Sequence, residues 1–423
     1  MLRVLYSLLL ALIAPLFLYG LYKKKPGKPS VGARWKEHFG VTPLLALRSN
    51  EAGGPLWIHA VSVGEVIAVS PLIKAIKQQH PSLVVVVTTT TPTGAEQAEK
   101  LGDLIHHRYM PLDFGFALRR YIRIIQPSQL LIMETELWPN TLHAAATAQI
   151  PVSILNARLS ERSYQRYKKV NGVVRSMFSH LQHIYCQNSD DQIRFHNLGV
   201  PMSKITVTGS IKYDIQVDPM TRQHGRQLKE LLGSRPVWAA ASTHSGEDEL
   251  IIEAHKALLV THPNALLILI PRHPERFNQV FELCQQLGCD TVRRTQVHDS
   301  LPASSQVYLA DTMGEMMIIL GAADICFMGG SLLGDKVGGH NLLEPAALGV
   351  PTLIGPSYFN FNEITEVLTS RDATLVVSAP ELAATLNQLF NHPQQLSVMR
   401  QASLEVVAEN RGSIQTTIDR MYL

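Results

Sequence analysis

The sequence predicts an α/β fold with two doubly wound domains that face a cleft, preceded by an N-terminal membrane-anchor helix. Its 423 residues, 46% of them apolar, exceed what one ordinary core needs and are sufficient for two. From Leu56 onward, short apolar runs alternate with longer amphipathic stretches, a pattern typical of βαβ units and parallel sheets. Residues 1–25 are instead apolar and then basic, which sets them apart from both domains.

The N-terminal segment contains nineteen residues without a charge, from Val4 to Tyr22, close to the roughly 20 needed to cross a bilayer. A cleaved signal peptide, an uncleaved anchor and an amphipathic surface helix are the alternatives. The bulky residues 17–19 disfavour cleavage, and Pro15 leaves a shallow, monotopic insertion open. Residues 1–50 carry eight Lys or Arg and one acid, mostly after the apolar segment, so the positive-inside rule places the rest of the chain in the cytoplasm.

The first domain, residues 26–216, contains seven predicted strands, at residues 56–60, 83–88, 105–109, 129–133, 152–155, 183–186 and 205–207. The second domain, residues 217–423, contains six, at residues 237–241, 265–270, 306–310, 325–328, 352–354 and 374–377, and ends in a helical tail. Ligands of such sheets bind at the carboxyl ends of the strands. We therefore expect the site in the cleft between the domains.

The composition excludes several classes of protein. The net charge is +3 and becomes −4 without residues 1–50, which argues against a nucleic-acid-binding surface. The apolar content excludes a disordered chain. The cysteines are scattered in apolar runs, as expected of reduced thiols in the cytosol, and their spacing predicts no metal site. They are Cys186, Cys284, Cys289 and Cys326.

Acidic side chains follow two predicted strands of the first domain. Glu65 comes just after the first strand, at the start of a helix whose dipole favours a carboxylate, and it could serve as a general base. The alternative is an acid that only occupies a first helical turn, and the spacing does not separate the two. Glu134 and Glu136 follow the buried strand 129–133, where paired acids indicate a function.

Two polar segments of the first domain have two interpretations each. The hydroxyl-rich loop at residues 88–94 suits contacts with sugar or phosphate, or it caps and turns a helix. A predicted helix around residues 158–175 is basic, and it either binds lipid phosphates, an anionic sugar or the membrane surface, or is a solvated face. Its six basic residues are Arg158, Arg162, Arg166, Lys168, Lys169 and Arg175.

The second domain carries signals typical of nucleotide binding. Arg272 and His273 follow one predicted strand, and residues 311–316 start a helix after another strand. A glycine-rich loop at residues 329–341 leads to Glu344, an acid that could bind a ribose diol. No GxGxxG fingerprint follows the first strand and no phosphate-binding P-loop occurs. No Asp-x-Asp pair follows a strand either, so a metal-independent transferase fits best.

Several motifs in register resemble the 3-deoxy-D-manno-octulosonic acid (Kdo) transferases of Gram-negative bacteria. The motifs lie at residues 34–37, 59–65, 133–140, 156–160, 209–214 and 339–345. The resemblance implies a GT-B architecture of two Rossmann-like domains. It implies inverting transfer of Kdo from CMP-Kdo to a tetraacyldisaccharide lipid A precursor (lipid IVA) at the cytoplasmic face of the inner membrane, without metal or cofactor.

The resemblance also assigns roles to residues. Glu65 is the expected catalytic base, and Glu134 and Lys212 are the expected transition-state stabilisers. We expect an ordinary or modestly shifted pKa for Glu65, so that it is ionised at neutral pH. The expected nucleotide site consists of Pro271, Arg272, Met313, Gly314, Glu315, Met316, Asn341, Leu342, Leu343 and Glu344.

Two other functions remain open at the level of the sequence. One is another GT-B glycosyltransferase, or a sugar-nucleotide epimerase, that uses a UDP-sugar. The other is a membrane-tethered binding or scaffold protein that has kept the fold without the chemistry. The presence of Glu65, Glu134 and Lys212 at separate strand ends argues against a scaffold, which has no use for them.

Overall fold

A computed structural model describes residues 2–23, 29–45, 53–297 and 300–421. The chain divides into two compact units, the first made of Met1–Asp214 with Arg411–Leu423 and the second of Ile215–Asn410. Each unit contains one seven-stranded parallel sheet with helices packed on it. The predicted α/β fold with two parallel sheets is therefore confirmed.

The sheet of the first unit has the strand order β3-β2-β1-β4-β5-β6-β7. The strands are β1 (Leu56–His59), β2 (Val85–Thr89), β3 (His106–Tyr109), β4 (Gln129–Met133), β5 (Val152–Ala157), β6 (Leu181–Cys186) and β7 (Ile205–Val207). The helices are α1 (Leu2–Tyr22), α2 (Val63–Gln79), α3 (Pro92–Glu99), α4 (Gly115–Ile125), α5 (Pro139–Thr147), α6 (Glu161–Lys169), α7 (Asn171–Phe178) and α8 (Ser189–Asn197). Apolar cores lie on both faces of this sheet, so the inner strands β1, β2, β4 and β5 are buried along their whole length.

The sheet of the second unit has the strand order β10-β11-β9-β8-β12-β13-β14. The strands are β8 (Val237–Thr243), β9 (Leu266–Pro271), β10 (Thr291–Arg293), β11 (Val307–Leu309), β12 (Ile325–Met328), β13 (Thr352–Ile354) and β14 (Thr374–Val376). The helices are α9 (Pro219–Leu232), α10 (Asp248–Leu259), α11 (Phe277–Gln286), α12 (Met316–Leu320), α13 (Leu343–Leu348), α14 (Asn362–Ser370), α15 (Leu382–Asn391) and α16 (Pro393–Glu409), and the chain ends with α17 (Ser413–Arg420).

All thirteen predicted strands are present, with ends that differ by a few residues. The prediction missed β10, which has three residues at the edge of the second sheet, none of them fully buried. A strand this short and polar has no apolar run for sequence analysis to detect.

The C-terminal helix α17 belongs to the first unit. The Tyr185 hydroxyl donates to the Arg420 carbonyl at 2.8 Å, and Ile418 is buried in the core beside α2. The sequence-based division at residues 216 and 217 assigned this tail to the second domain. The structure places it with the first, because its apolar side chains complete the core of the first sheet.

Helix α1 is the one described helix that is long and apolar enough to cross a membrane, judged by length and composition. It also contacts the rest of the first unit near both of its ends. The Asn140 amide donates to Ser7 Oγ at 3.0 Å, and the Tyr22 hydroxyl lies 2.9 Å from His38 Nδ1. The basic segment predicted after it, residues 24–28, lies outside the described residues.

Both sheets reverse their strand order at the first strand of the unit, between β1 and β4 and between β8 and β12. Loops that leave the carboxyl ends of these neighbouring strands run in opposite directions and open a crevice, where ligands of this fold class bind. In the second unit, the buried Glu247 connects the two loops through hydrogen bonds. Its carboxylate accepts the backbone N–H groups of His244 after β8 and of Gly330, Ser331 and Leu332 after β12, at 2.7–3.1 Å.

We expect Glu247→Ala to lower the free energy of unfolding of the second unit by about 3 kcal/mol, because four backbone donors lose their acceptor in a buried loop. The measurement is the midpoint of urea unfolding of the full-length protein. Glu249→Ala, which changes an exposed acid in the first turn of α10, is the matched control and should change stability by less than about 0.5 kcal/mol. Equal midpoints for the two variants would contradict the structural role of Glu247.

Candidate active site

Glu65 lies in the first turn of α2, after the carboxyl end of β1. Its Oε2 accepts the Val61 backbone N–H at 2.9 Å, and its Oε1 accepts the Ser62 hydroxyl at 3.3 Å. The carboxylate thus bends back over the start of its own helix and is held on one side. This arrangement goes beyond an acid that merely occupies a first turn, since both of its oxygens are oriented.

The pKa of Glu65 is raised to about 7, chiefly because the carboxyl is buried, and further because Glu134 and Glu136 are negatively charged neighbours. The hydrogen bond from Val61 opposes the shift without cancelling it. The sequence-based expectation of an ordinary or modestly shifted pKa was therefore wrong. A sequence does not reveal how deeply a carboxyl is buried or how close other acids lie.

Glu134 follows the last residue of β4 and adopts the left-handed region, with φ +56°. This conformation costs a residue with a Cβ about 1–3 kcal/mol, and such strain is concentrated at functional sites. It turns the chain abruptly at the end of the strand. The Glu134 carboxylate accepts the Lys212 ammonium at 3.1 Å, and both side chains are one-third exposed.

Lys212 is held in place from two sides. It lies in the short 3₁₀ turn Ile211–Tyr213, and the first backbone N–H of this turn donates to Asn156 Oδ1 at 3.2 Å. Asn156 is itself in the left-handed region, with φ +52°. On the other side, the carboxylate of Asp214 accepts backbone N–H groups at the start of α17, each at 2.5 Å. The C-terminal helix therefore fixes the loop that carries Lys212.

The other polar segments of the first unit differ in their structure. Thr91 caps α3 by accepting the Gly94 N–H at 3.1 Å, which confirms the capping interpretation of that loop. Thr90 uses its backbone N–H to bind the Val61 carbonyl at 3.2 Å, next to Glu65. The six basic residues predicted at residues 158–175 are all exposed, on α6, on α7 and just before them.

In the second unit, Arg272 and Glu344 lie near each other. Burial raises the pKa of Glu344, and the Arg272 charge and a hydrogen bond from Asn341 oppose this rise. Asn341 also accepts the Leu343 N–H at 3.1 Å, which orients the start of α13. Arg272 is exposed, and its backbone N–H donates to the Thr243 carbonyl at 3.0 Å. The structure thus brings together a cation, an amide and an acid that the sequence predicted separately.

The remaining predicted nucleotide residues are placed differently. Pro271 ends β9 and is buried, and Met313 and Gly314 are exposed just before α12, which begins at Met316. Glu315 accepts hydrogen bonds from the Thr312 hydroxyl and from Arg294, the latter at 3.1 and 3.3 Å. These bonds and the Arg294 charge lower its pKa against the effect of burial.

The side chains of Leu342 and Leu343 are completely buried in the core. Only their backbone groups can therefore reach a nucleotide, so the expected contacts from these two residues cannot involve their side chains.

Two histidines beside Arg272 were not predicted from the sequence as site residues. The rings of His244 and His340 lie edge to edge with their planes 5° apart, and their Nε2 atoms are 2.8 Å apart. Burial is the main cause that lowers the pKa of both histidines, to about 4 for His340. Both rings are therefore neutral, and the Nε2–H of one donates to the Nε2 of the other. His340 lies within a motif that the sequence analysis quoted. His244 has no such signal, because its position depends on the left-handed Ser242 at the end of β8.

Among the described residues, no group of three or more His, Cys, Asp or Glu side chains is arranged to hold a metal ion. The four cysteines are buried free thiols, and burial raises the pKa of each.

Comparison with known proteins identifies relatives over almost the whole chain. Residues 33–215 match the family model described as 3-deoxy-D-manno-octulosonic-acid transferase (kdotransferase). The chain is 40% identical to a 3-deoxy-D-manno-octulosonic acid transferase of Haemophilus influenzae, covering 99% of this chain and 97% of the relative. It is 33% identical to the Bordetella pertussis enzyme of the same name, covering 99% and 98%.

Comparison of structures shows the fold. The UDP-GlcNAc 2-epimerase of Neisseria meningitidis aligns with a TM-score of 0.57 at 16% identity, covering 86% of this chain and 100% of the epimerase. The resemblance read from the motifs is confirmed by the sequence relatives, which align from end to end at 40% and 33% identity. The chain therefore belongs to the 3-deoxy-D-manno-octulosonic acid (Kdo) transferase family.

Proposed function

We propose that this chain is an inverting glycosyltransferase that moves Kdo from CMP-Kdo to the lipid A precursor lipid IVA in lipopolysaccharide core biosynthesis. The names of the Haemophilus and Bordetella relatives identify Kdo as the sugar that is transferred. The observation that carries the mechanism is the oriented carboxyl of Glu65, with a pKa of about 7, next to two further acids of the first sheet.

Glu65 acts as the general base. A bond forms between the acceptor hydroxyl oxygen and the anomeric carbon of Kdo, the bond from that carbon to the CMP phosphate breaks, and the hydroxyl proton passes to Glu65. A base is most effective when its pKa lies near the working pH. The hydrogen bonds from Val61 and Ser62 fix the carboxylate in one orientation, which reduces the entropic cost of reaching the transition state.

Glu134 and Lys212 stabilise the transition state as a pair. The ammonium group offers positive charge where negative charge develops, and the carboxylate 3.1 Å away holds it in position. The strained backbone of Glu134 and the two supports of the Lys212 turn mean that neither group needs to reorganise during the reaction.

The second unit binds the donor. Arg272 pairs with the CMP phosphate, Glu344 accepts hydrogen bonds from the ribose hydroxyls, and the backbone N–H groups at the start of α13 complete the site. Arg272 supplies the positive charge for the departing phosphate, so we propose that transfer needs no metal ion and no cofactor.

Helix α1 attaches the enzyme to the cytoplasmic side of the inner membrane. Its outward face is apolar and well exposed, with Val4, Leu8, Leu12 and Leu16 between 60 and 77% exposed. Such a face is stable in the acyl region of a bilayer, and it brings the catalytic units to the lipid acceptor.

Glu65→Gln should lower kcat by about 10²–10⁴-fold, because the amide cannot take the hydroxyl proton. The measurement is CMP release from CMP-Kdo and lipid IVA in detergent, with the Kd for CMP as the test of an intact donor site. Glu96→Gln, an exposed acid of the same unit, is the control and should match the wild type. Retained turnover in Glu65→Gln would remove the base from its role.

The rate should depend on the ionisation of Glu65. Below its pKa of about 7 the carboxyl is protonated and cannot act as a base, so kcat/KM should rise with pH and level off above 7. Glu136→Gln removes one neighbouring negative charge and should move the midpoint to lower pH. Asp103→Asn, an exposed acid that does not act on Glu65, should leave it unchanged. A midpoint that stays in place in Glu136→Gln would contradict this account.

CMP should raise the unfolding temperature of the protein, and UDP should not, because only a bound nucleotide stabilises the folded state. Arg272→Gln should reduce the shift caused by CMP, whereas Arg226→Gln, an exposed cation of the same unit, should not. A larger shift with UDP would instead indicate an enzyme that uses a UDP-sugar.

A further inference from the structure

A cavity of about 130 Å³ lies in the first unit, between α1 and the segment that joins β3 to α4. Leu10, Ala14 and Leu21 of α1 form one wall, and Met110 and Phe114 contribute to the opposite wall. We refer to this cavity as the α1 groove.

The charged group in the lining of the α1 groove is already bound. The Asp113 carboxylate accepts the backbone N–H groups of Asn140 and Thr141, at 3.0 and 2.7 Å, and the Thr141 hydroxyl at 2.7 Å. Its charge therefore caps α5 and does not need a ligand. What the groove offers to an occupant is mainly apolar surface.

Helix α1 is held along this surface, since the hydrogen bonds of Ser7 and Tyr22 attach both of its ends to the same unit. The groove lies under the inner face of the helix. The outer face carries Leu8, Leu12 and Leu16, which are 64–77% exposed and suited to the bilayer. An alkyl chain in the groove would thus lie one helix away from membrane lipids.

The α1 groove is also linked to the proposed catalytic base. Thr90, which lines the groove, donates its N–H to the Val61 carbonyl at 3.2 Å, and the Val61 N–H donates to Glu65 Oε2 at 2.9 Å. Trp138 lines the groove and follows Glu134 by four residues. The groove is therefore lined by residues of the same loops that position Glu65 and Glu134.

We propose that the α1 groove holds one acyl chain of the lipid acceptor and so places the acceptor sugar at Glu65. This inference rests on the function proposed above, which requires an acceptor with an apolar tail and a sugar hydroxyl. The acyl chain meets the apolar walls, while the sugar lies at the polar edge of the first sheet. Burial of methylene groups provides the affinity. The hydrogen bonds from Thr90 to Val61 and from Val61 to Glu65 fix the position of the groove relative to the catalytic base.

Ala14→Trp fills the groove from the inner face of α1, and Ala11→Trp places the same side chain on its exposed face. We expect Ala14→Trp to raise the KM for the tetraacylated acceptor about tenfold, because several methylene groups lose their site. The KM for CMP-Kdo should not change. With a deacylated, water-soluble acceptor, Ala14→Trp and the wild type should behave alike, and Ala11→Trp should match the wild type with both acceptors.

Equal KM values of the Ala14→Trp and Ala11→Trp variants for the acylated acceptor would overturn the proposal. So would an equal loss with the deacylated acceptor, since the groove would then act on the sugar or on folding. If the wild type released no CMP with either acceptor, the proposed function would fail instead, and the labelling below would decide the occupancy of the groove.

Photolabelling tests the groove without turnover. A lipid acceptor with a diazirine at the end of its acyl chains is irradiated with the full-length protein in detergent, and the labelled residues are identified by mass spectrometry. We expect label on Leu10, Ala14, Met110 or Phe114, reduced in Ala14→Trp and unchanged in Ala11→Trp. Label confined to Leu8, Leu12 and Leu16 would show that the chain stays in the micelle and would overturn the proposal.

Discussion

The burial of the Glu65 carboxyl beside two other acids, at the carboxyl edge of the first sheet, is the constraint on which the site depends. Because β1 and β4 are neighbours, the loops that carry Glu65, Glu134 and Glu136 meet at one crevice. Lys212 neutralises one of these acids at 3.1 Å. Burial, together with the repulsion from the neighbouring acids, raises the pKa of Glu65 into the range where a carboxyl can act as a base near neutral pH.

This constraint explains features that are distant in sequence. Lys212 can compensate Glu134 only if its turn is rigid, and Asn156 and the start of α17 supply that rigidity through hydrogen bonds to its ends. In the second unit, the buried carboxylate of Glu247 also holds its neighbouring loop in place, by accepting backbone N–H groups. In both units, therefore, an acid near the strand-order reversal organises the loops around it.

The sequence predicts the elements because apolar runs and their spacing determine buried strands, and only the short polar β10 escapes this pattern. It predicts Glu65 and Glu134 as candidates because they follow strands, whereas Lys212 came from the family resemblance. It does not predict the pairing of His244 with His340, which depends on a left-handed residue at the end of β8. Burial and long-range contacts, including those of α17, arise only when the chain folds.

The most direct test of the central claim is the ionisation of Glu65 itself. The carboxyl groups of the full-length protein can be labelled with ¹³C-glutamate and titrated by NMR in detergent, and the Glu65 resonance can be assigned by its loss in the Gln variant. The account predicts a midpoint near pH 7, because burial and two neighbouring acids disfavour the charged form. A midpoint near about 4.3, as in exposed glutamates, would contradict it.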